Sequence, residues 1–478
     1  MLRYRSKFIA IIVVLIFLSC KSRKDSAEQA SVQKPNILLI HVDDLGYHDL
    51  SITGSEIYQT PNIDKLATES FQFQNAYANY PRCVPSRYAM MTGGYPIKDG
   101  DVPDDGFVMS NIPDSKNFVK QINNAGYQTA YYGKWHLGDG ENNPHGFGYD
   151  TSIAAGAAGS PISYLYPFNT PKHKGINKKE PIEDLEETSE EGDYLTDVLT
   201  TQVKNYLKNR DTSKPFMAVL AFYAVHQPIE AKKEDEARNQ KEIDAHDFGN
   251  QPEYIKEGTG RTKMRQDNAA YAGMVEIMDK NVGELLQLLK DLNIDDHTIV
   301  IFSSDHGGLS NDGTKERQLA TSNYPLRAGK GHLYEGGIKV PLFVKWTNKI
   351  KPSVDRESLV MHMDIFPTLV DIVSKKDLNT DGKSFMPILF QNNTWTNRTV
   401  FWHSSKARPA NTGDTKSSAI RQGDYKLIHW YKEGRTELYD ISKDPSESRD
   451  ISKENEKLTK SLMESLKQWK SKHAIKDI

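Results

Sequence analysis

Cys83 lies in the run Pro81-Arg82-Cys83-Val84-Pro85-Ser86-Arg87-Tyr88-Ala89-Met90-Met91-Thr92-Gly93. Residues 86–91 read as a helix start, and a reactive group at a helix N-terminus sees the positive end of the dipole, which favours a bound anion. Two adjacent carboxylates, Asp43 and Asp44, follow the apolar run 36–42. Adjacent acids repel unless a cation holds them, although a turn or a helix cap uses the same residue type. Asp305 and His306 end a second apolar run, 298–304, and His226 follows a third, 216–223. A histidine just past a strand is a site candidate, while a lone histidine is more often structural. Lys134 and His136 follow the run 127–132 and project to one side if strand geometry continues. From spacing alone, that pair also suits an exposed surface. Carboxylates are hard oxygen ligands, and histidines near a reacting centre are acid–base groups.

These residues need a frame that brings distant segments together. The runs 36–42, 127–132, 216–223 and 298–304 are rich in aliphatic residues and read as buried parallel strands. Each ends in polar, ionisable residues, and open α/β sheets bind ligands outside the carboxyl ends of their strands. A doubly wound sheet explains that convergence. Thr60 reads as an N-cap with Pro61 at the first helical position, followed by an apolar–aromatic strand over 71–78. Residues 268–289 read as a long amphipathic helix with Met274, Ile277, Met278, Val282, Leu285 and Leu289 toward the core. From about residue 395 the pattern changes to short antiparallel strands over 418–421, 425–431 and 437–440. A closing helix over 455–472 then carries Leu458, Leu462, Leu466 and Trp469 on one face. His403 and His429 read as ordinary packing or surface residues. The polar insertions 154–192, 230–261 and 309–324 interrupt the frame, and 232–238 reads as a solvated charge run.

The Cys-x-Pro-Ser-Arg core at Cys83 resembles the signature of type I sulfatases. Similar segments follow in the family's chain order: Thr60-Pro61-Asn62, Gly133-Lys134-Trp135-His136-Leu137-Gly138, Asp305-His306-Gly307 and Gly329-Lys330-Gly331 through Pro341. The resemblance runs from about residue 35 to 450. It implies the alkaline-phosphatase-like fold, a large mixed, mostly parallel sheet sandwiched by helices, with a smaller C-terminal α+β subdomain. On this reading 35–394 is the catalytic domain and 395–478 the subdomain. The resemblance also implies that a separate maturation enzyme oxidises Cys83 to Cα-formylglycine, and that one Ca²⁺ is held by Asp43, Asp44, Asp305, His306 and an oxygen of the modified Cys83. His306 stands where many members carry Asn, and nitrogen is a poorer calcium ligand than oxygen. By the same analogy, one hydroxyl of the formylglycine hydrate attacks sulfur and the second expels sulfate. Arg87 and Lys134 hold its oxygens, His136 is the base that regenerates the aldehyde, His226 is the acid for the leaving alkoxide, and Lys330 binds sulfate. The substrate implied is a sulfated carbohydrate, with an algal glycan such as ulvan or carrageenan favoured over glycosaminoglycan. The competing readings are a formylglycine-dependent phosphonate or phosphate ester hydrolase, and an inactive sulfoglycan-binding lipoprotein.

A chain of 478 residues with 37% hydrophobic and 26% charged residues suits an aqueous compartment and a large core. A net charge of −3 does not advertise nucleic acid. Of the two cysteines, Cys20 closes a basic, then apolar N-terminal segment that resembles a bacterial lipoprotein signal, 1–20, followed by a polar tether, 21–34. Lipidation at Cys20 would make the membrane contact a lipid anchor alone and leave Cys83 as the one thiol. The expected location is the outer membrane, on its periplasmic or cell-surface side, with a soluble secreted or periplasmic form as the alternative. A disulfide between the two cysteines is the blander reading.

Overall fold

In the computed structural model, residues 34–476 are described, apart from 104–105, 171–179, 377 and 392. Cys20 and the signal-like segment lie outside the described residues. Eight strands build the main sheet: β1 Asn36–Val42, β2 Phe71–Phe73, β3 Gln128–Gly133, β4 Thr151–Ile153, β5 Phe216–Ala221, β6 Thr298–Ser304, β7 Leu342–Trp346 and β8 Ser353–Asp355. Their spatial order is β8-β2-β7-β6-β1-β5-β3-β4. Every neighbouring pair is parallel except those made by β7, which runs against β6 and β2. The fold is therefore the mixed, mostly parallel sheet that the family resemblance implies, with the parallel strands where the apolar runs place them.

The period-2 pattern of a strand explains the layers. Leu38, Ile40 and Val42 of β1 enter one core with helices α1 (Pro61–Thr68), α3 (Leu195–Asn209) and α4 (Ala269–Asp291). Ile37 and Leu39 enter the opposite core, shared with helix α5 (Ile365–Ser374) and the helix Phe118–Asn124. A strand buried on both faces reads as a continuous aliphatic run, which is what residues 36–42 show. Met274 and Met278 of α4 are fully buried, as expected of core residues.

The C-terminal subdomain has four antiparallel strands, β9 Thr399–Ser404, β10 Ser417–Gln422, β11 Tyr425–Trp430 and β12 Arg435–Asp440, in that spatial order. The first was not expected from sequence. Helix α6 (Glu456–Lys472) covers one face through Leu462, Leu466 and Trp469, which meet Ile420, Leu427 and Leu438. The other face, with Trp402, Ala419 and Ile428, packs on Tyr77, Leu333 and Ile338 of the larger body.

Several local expectations differ. The expected strand 71–78 breaks at Gln74 and Asn75, and Ala76–Tyr77 pairs instead in a separate two-stranded sheet. Thr60 precedes α1 but gives no side-chain cap; its hydroxyl donates to Asp64 at 2.9 Å. The charge run 232–238 enters a helix, Lys233–Ala245, in which Asn239 and Ile243 are buried. It is still largely exposed, but two short inward residues were enough to dock it beside α4.

Candidate active site

Strand register delivers the acids. Val42 pairs with Ser304, and the Asp305 N–H donates to the Val42 carbonyl at 2.9 Å. Asp43 and Asp305 thus leave neighbouring strands side by side. Asp44 turns into the left-handed region (φ 59°), and its N–H donates to Asp305 Oδ1 at 3.1 Å. Helix α2, Cys83–Thr92, presents Cys83 as its first residue. It begins at Cys83 rather than at 86, because Pro85 in a first turn lacks an N–H that would have no partner there anyway.

The thiol sits where these elements meet. Cys83 Sγ is 3.5 Å from Asp43 Oδ1, 3.9 Å from Asp44 Oδ1, 3.3 Å from His306 Nε2 and 3.6 Å from Lys330 Nζ. Arg87, one turn along α2, donates to Asp305 Oδ2 at 3.1 Å and to the Lys134 carbonyl at 2.7 Å. Lys134 Nζ pairs with Asp43, and Lys330 Nζ holds both oxygens of Asp44 at 2.7 and 2.8 Å. His226 Nε2 lies 3.6 Å from Asp44 Oδ2. Asp43, Asp44, Cys83, Arg87, Lys134, His226, Asp305, His306 and Lys330 therefore converge on one cluster, drawn from four strand ends, one helix N-terminus and one loop. Cys83 is a free thiol.

The route to that convergence differs from the spacing argument for Lys134 and His136. Strand geometry stops at Gly133, whose φ of 88° and close approach to the Ala221 carbonyl exclude a side chain: a Cβ there would lie 2.1 Å from that oxygen. Lys134 then points inward to Asp43, and His136 adopts φ 58° with its N–H on the Gly156 carbonyl. The turn, not strand alternation, brings both to the cluster.

Electrostatics follows from burying opposite charges together. Burial raises the Asp43 pKa, with Asp305 adding to the rise and Lys134 opposing it. Asp44 is also raised, by burial against the pull of Lys330. Burial penalises ionised Asp305 too, but His306, Arg87 and Lys134 outweigh it and hold the carboxyl below its usual range. The Cys83 thiol is lowered, since Lys134, Lys330 and His306 overcome desolvation. His226 and His136 are lowered chiefly by burial, which disfavours the protonated form of each.

Two sets, Asp43, Asp44, Cys83, His226 and Asp43, Cys83, Asp305, His306, each offer ligand atoms within 4.8 Å of one another. Three carboxylates make this a hard-oxygen site of the type Ca²⁺ takes. His306 Nδ1 lies 3.0 Å from the Gly307 carbonyl, and that contact aims Nε2 into the cluster, 3.3 Å from Asp44 Oδ1. The residues present fit a divalent cation.

Some supporting residues escaped sequence reasoning. Ser86 donates to the Asp305 carbonyl at 2.6 Å and lies 3.3 Å from His362 Nδ1, while His362 Nε2 lies 3.0 Å from Ser303 Oγ. Only a contact map could reveal His362, which is remote in sequence from both serines. Behind the acids, Asp49 accepts from Gly46 N–H, Tyr271, Thr321 and Gln266 at 2.7, 2.6, 2.6 and 3.2 Å. His403 and His429 are packing residues of the subdomain, near Ser418 and Thr436 at 2.8 and 3.0 Å.

Comparison with known proteins decides the family. The sulfatase family model matches residues 35–374. The chain belongs to the sulfatase family. A second model, the C-terminal region of N-sulphoglucosamine sulphohydrolase, matches 328–472 of this sulfatase. A sulfatase of Formosa agariphila is 29% identical, covering 94% of this chain and 90% of its own. Human N-acetylgalactosamine-6-sulfatase is 28% identical over 83% of this chain and 72% of its own. Among solved structures, Ps i-CgsB in complex with k-i-k-neocarrahexaose superposes with a TM-score of 0.71 at 30% identity, covering 92% and 93% of the two chains. The sulfatase is thus a hydrolase of sulfate esters, and its sheet and C-terminal subdomain are those of sulfatase structures.

Proposed function

We propose that this sulfatase removes sulfate from carbohydrate, acting on a sulfated polysaccharide or its oligosaccharides, with an algal glycan favoured over glycosaminoglycan. The observation that carries the reading is Cys83, buried at the α2 N-terminus against Asp43, Asp44 and His306 and open to a cavity of about 960 Å³. The names of the relatives support the sugar, since one acts on N-acetylgalactosamine 6-sulfate and another was solved with a neocarrahexaose. We assign Cys83 as the site of oxidation to formylglycine, whose hydrate supplies a nucleophilic hydroxyl and a second hydroxyl that releases sulfate. Ca²⁺, held by Asp43, Asp44, Asp305 and His306, would supply positive charge that lowers the cost of bringing a sulfate anion beside three carboxylates.

The remaining steps belong to the chain's own residues. Arg87 and Lys134 orient the modified side chain from the α2 side and the β3 side. Lys330 binds a sulfate oxygen, since its ammonium already reaches 3.6 Å from Cys83 Sγ. His226 protonates the leaving alkoxide. Its Nε2 faces the cluster and its Nδ1 lies 2.8 Å from the Gln227 carbonyl, which fixes the ring. His136 takes a proton from the modified Cys83. The sequence resemblance to a lipoprotein signal supports export and a lipid tether at Cys20, so that a polymer outside the cytoplasm is within reach.

The test is sulfate release by protein co-expressed with a maturation enzyme, across sulfated oligosaccharides and polymers, with Cys83→Ala as control and peptide mass analysis of residue 83. Release from a sulfated glycan that Cys83→Ala abolishes is the expected result. No release from any glycan by protein shown to carry formylglycine would overturn the reading.

A further inference from the structure

The cavity above Cys83 extends beyond the catalytic cluster, and its outer wall belongs to the loop between β9 and β10. Ser405, Lys406, Ala407, Arg408 and Lys416 line it, along with Arg82 and Lys330. The wall holds four cations besides Lys330, and among the described residues no carboxylate lines the cavity. Two of the four are committed to carboxylates behind the wall: Arg82 to Asp414 at 2.7 Å and Lys406 to Asp101 at 3.1 Å. Arg408 and Lys416 make no salt bridge among the described residues. Outside the lining, Arg317 donates to the neutral amide of Gln227, the residue after His226, at 2.5 Å. Burial and Arg82 disfavour charge on Arg408, against the pull of Cys83 and Asp414.

An anion entering this wall would gain charge-assisted hydrogen bonds from cations that carry no carboxylate partner of their own among the described residues. At about 960 Å³ the cavity lies near the top of the roughly 300–1,000 Å³ range for ligand pockets, roomy for a single sugar ring. We propose that Arg408 and Lys416 form a second anion subsite, which holds a sulfate or carboxylate on the saccharide beside the ester being cleaved. The preferred substrate is then a polyanionic oligosaccharide or chain end. This rests on the carbohydrate-sulfatase reading and narrows it. The subsite is supplied by loops, so its charge varies without disturbing the sheet that carries the chemistry.

The experiment measures kcat/KM for Arg408→Gln and Lys416→Gln on three substrates of one sugar series: a monosulfated monosaccharide, an oligosaccharide with two or more sulfates, and a monosulfated oligosaccharide bearing a uronic acid. We expect the ratio of oligosaccharide to monosaccharide kcat/KM to fall about ten-fold in Arg408→Gln, carried by KM, which is the scale of one lost charged contact. A fall on the polysulfated substrate alone identifies sulfate as the anion, and a fall on the uronate alone identifies carboxylate. An unchanged ratio in both variants overturns the subsite. Binding of the same saccharides to Cys83→Ala, with and without Arg408→Gln, reads the subsite even if no substrate is turned over. Loss of affinity confined to the polyanions supports it, and equal affinity with and without Arg408 refutes it. Failure of the wild type to release sulfate is therefore a separate result, bearing on the catalytic reading.

Discussion

Cys83 and His226 make the most specific demands on the chemistry. A serine at position 83 could form the same sulfate ester but has no second hydroxyl to eject it. We therefore expect Cys83→Ser to release the substrate alcohol in a single stoichiometric burst and to retain sulfate on the protein, as read by burst kinetics and intact mass. Multiple turnover near the wild-type rate would sink the assignment. As the proposed donor to the alkoxide, His226 must first take up a proton that its burial disfavours, so its worth depends on how badly the leaving group needs one. For His226→Ala we expect a loss of about 10²–10⁴-fold on sugar sulfates and a small loss on aryl sulfates. Equal losses on both would assign the acid elsewhere.

The elements that carry these residues are locked by a few buried polar groups, of which Asp49 ties most segments together. It joins the loop after β1 to α4 through Tyr271 and to the 319–323 stretch through Thr321. Burial pushes its pKa up to about 6, against hydrogen bonds that lower it. The folded state thus holds this proton more tightly than the unfolded chain, whose carboxyl titrates near 3.8. The associated stability is present below that value and lost as pH rises through about 6. Asp49→Asn turns an NH₂ toward donors, and we expect it to cost about 1–3 kcal/mol. The stability difference between wild type and variant should shrink as pH rises from about 4 to 6 and be flat above. A pH-independent difference in denaturant melts would show that Asp49 does not titrate in that window.

At the level of the whole molecule, the subdomain is part of the catalytic body rather than an appendage. Trp402 donates to the Ala78 carbonyl at 2.8 Å, and Lys426, fully buried, pairs with Glu335 and Glu447 at 3.0 and 2.9 Å. Removing 395–478 would leave Glu335 without its buried cation and expose Tyr77, Leu333 and Ile338. We expect the truncated chain to be insoluble or unfolded by circular dichroism. A cooperative melt from the truncated protein would show the seam to be dispensable. A cation held as proposed by the three carboxylates would link stability to its binding in the same global way. Calcium at about 100 times its Kd should add about 2.7 kcal/mol, so a chelator should lower both Tm and activity and calcium should restore both. An unchanged Tm on chelation would speak against a cation among Asp43, Asp44 and Asp305.

The strands β1 and β6 were legible to the residue because a strand buried on both faces must be an unbroken aliphatic run, and the acids that end such runs stand out. The motif residues were legible because chemistry constrains residue type at fixed spacing. What could not be read along the chain was anything set by contact between distant segments. His136 reaches the thiol through a left-handed turn that spacing does not encode, and the four-stranded order of the subdomain includes β9, whose pairing with β10 defines it. His362 and Arg317 carry no motif; each acquires its place from a neighbour remote in sequence. Local periodicity and side-chain chemistry act over a few residues and are written in the chain, whereas the cavity, its cations and the buried pairs exist only where the folded backbone brings separate segments within a few ångströms.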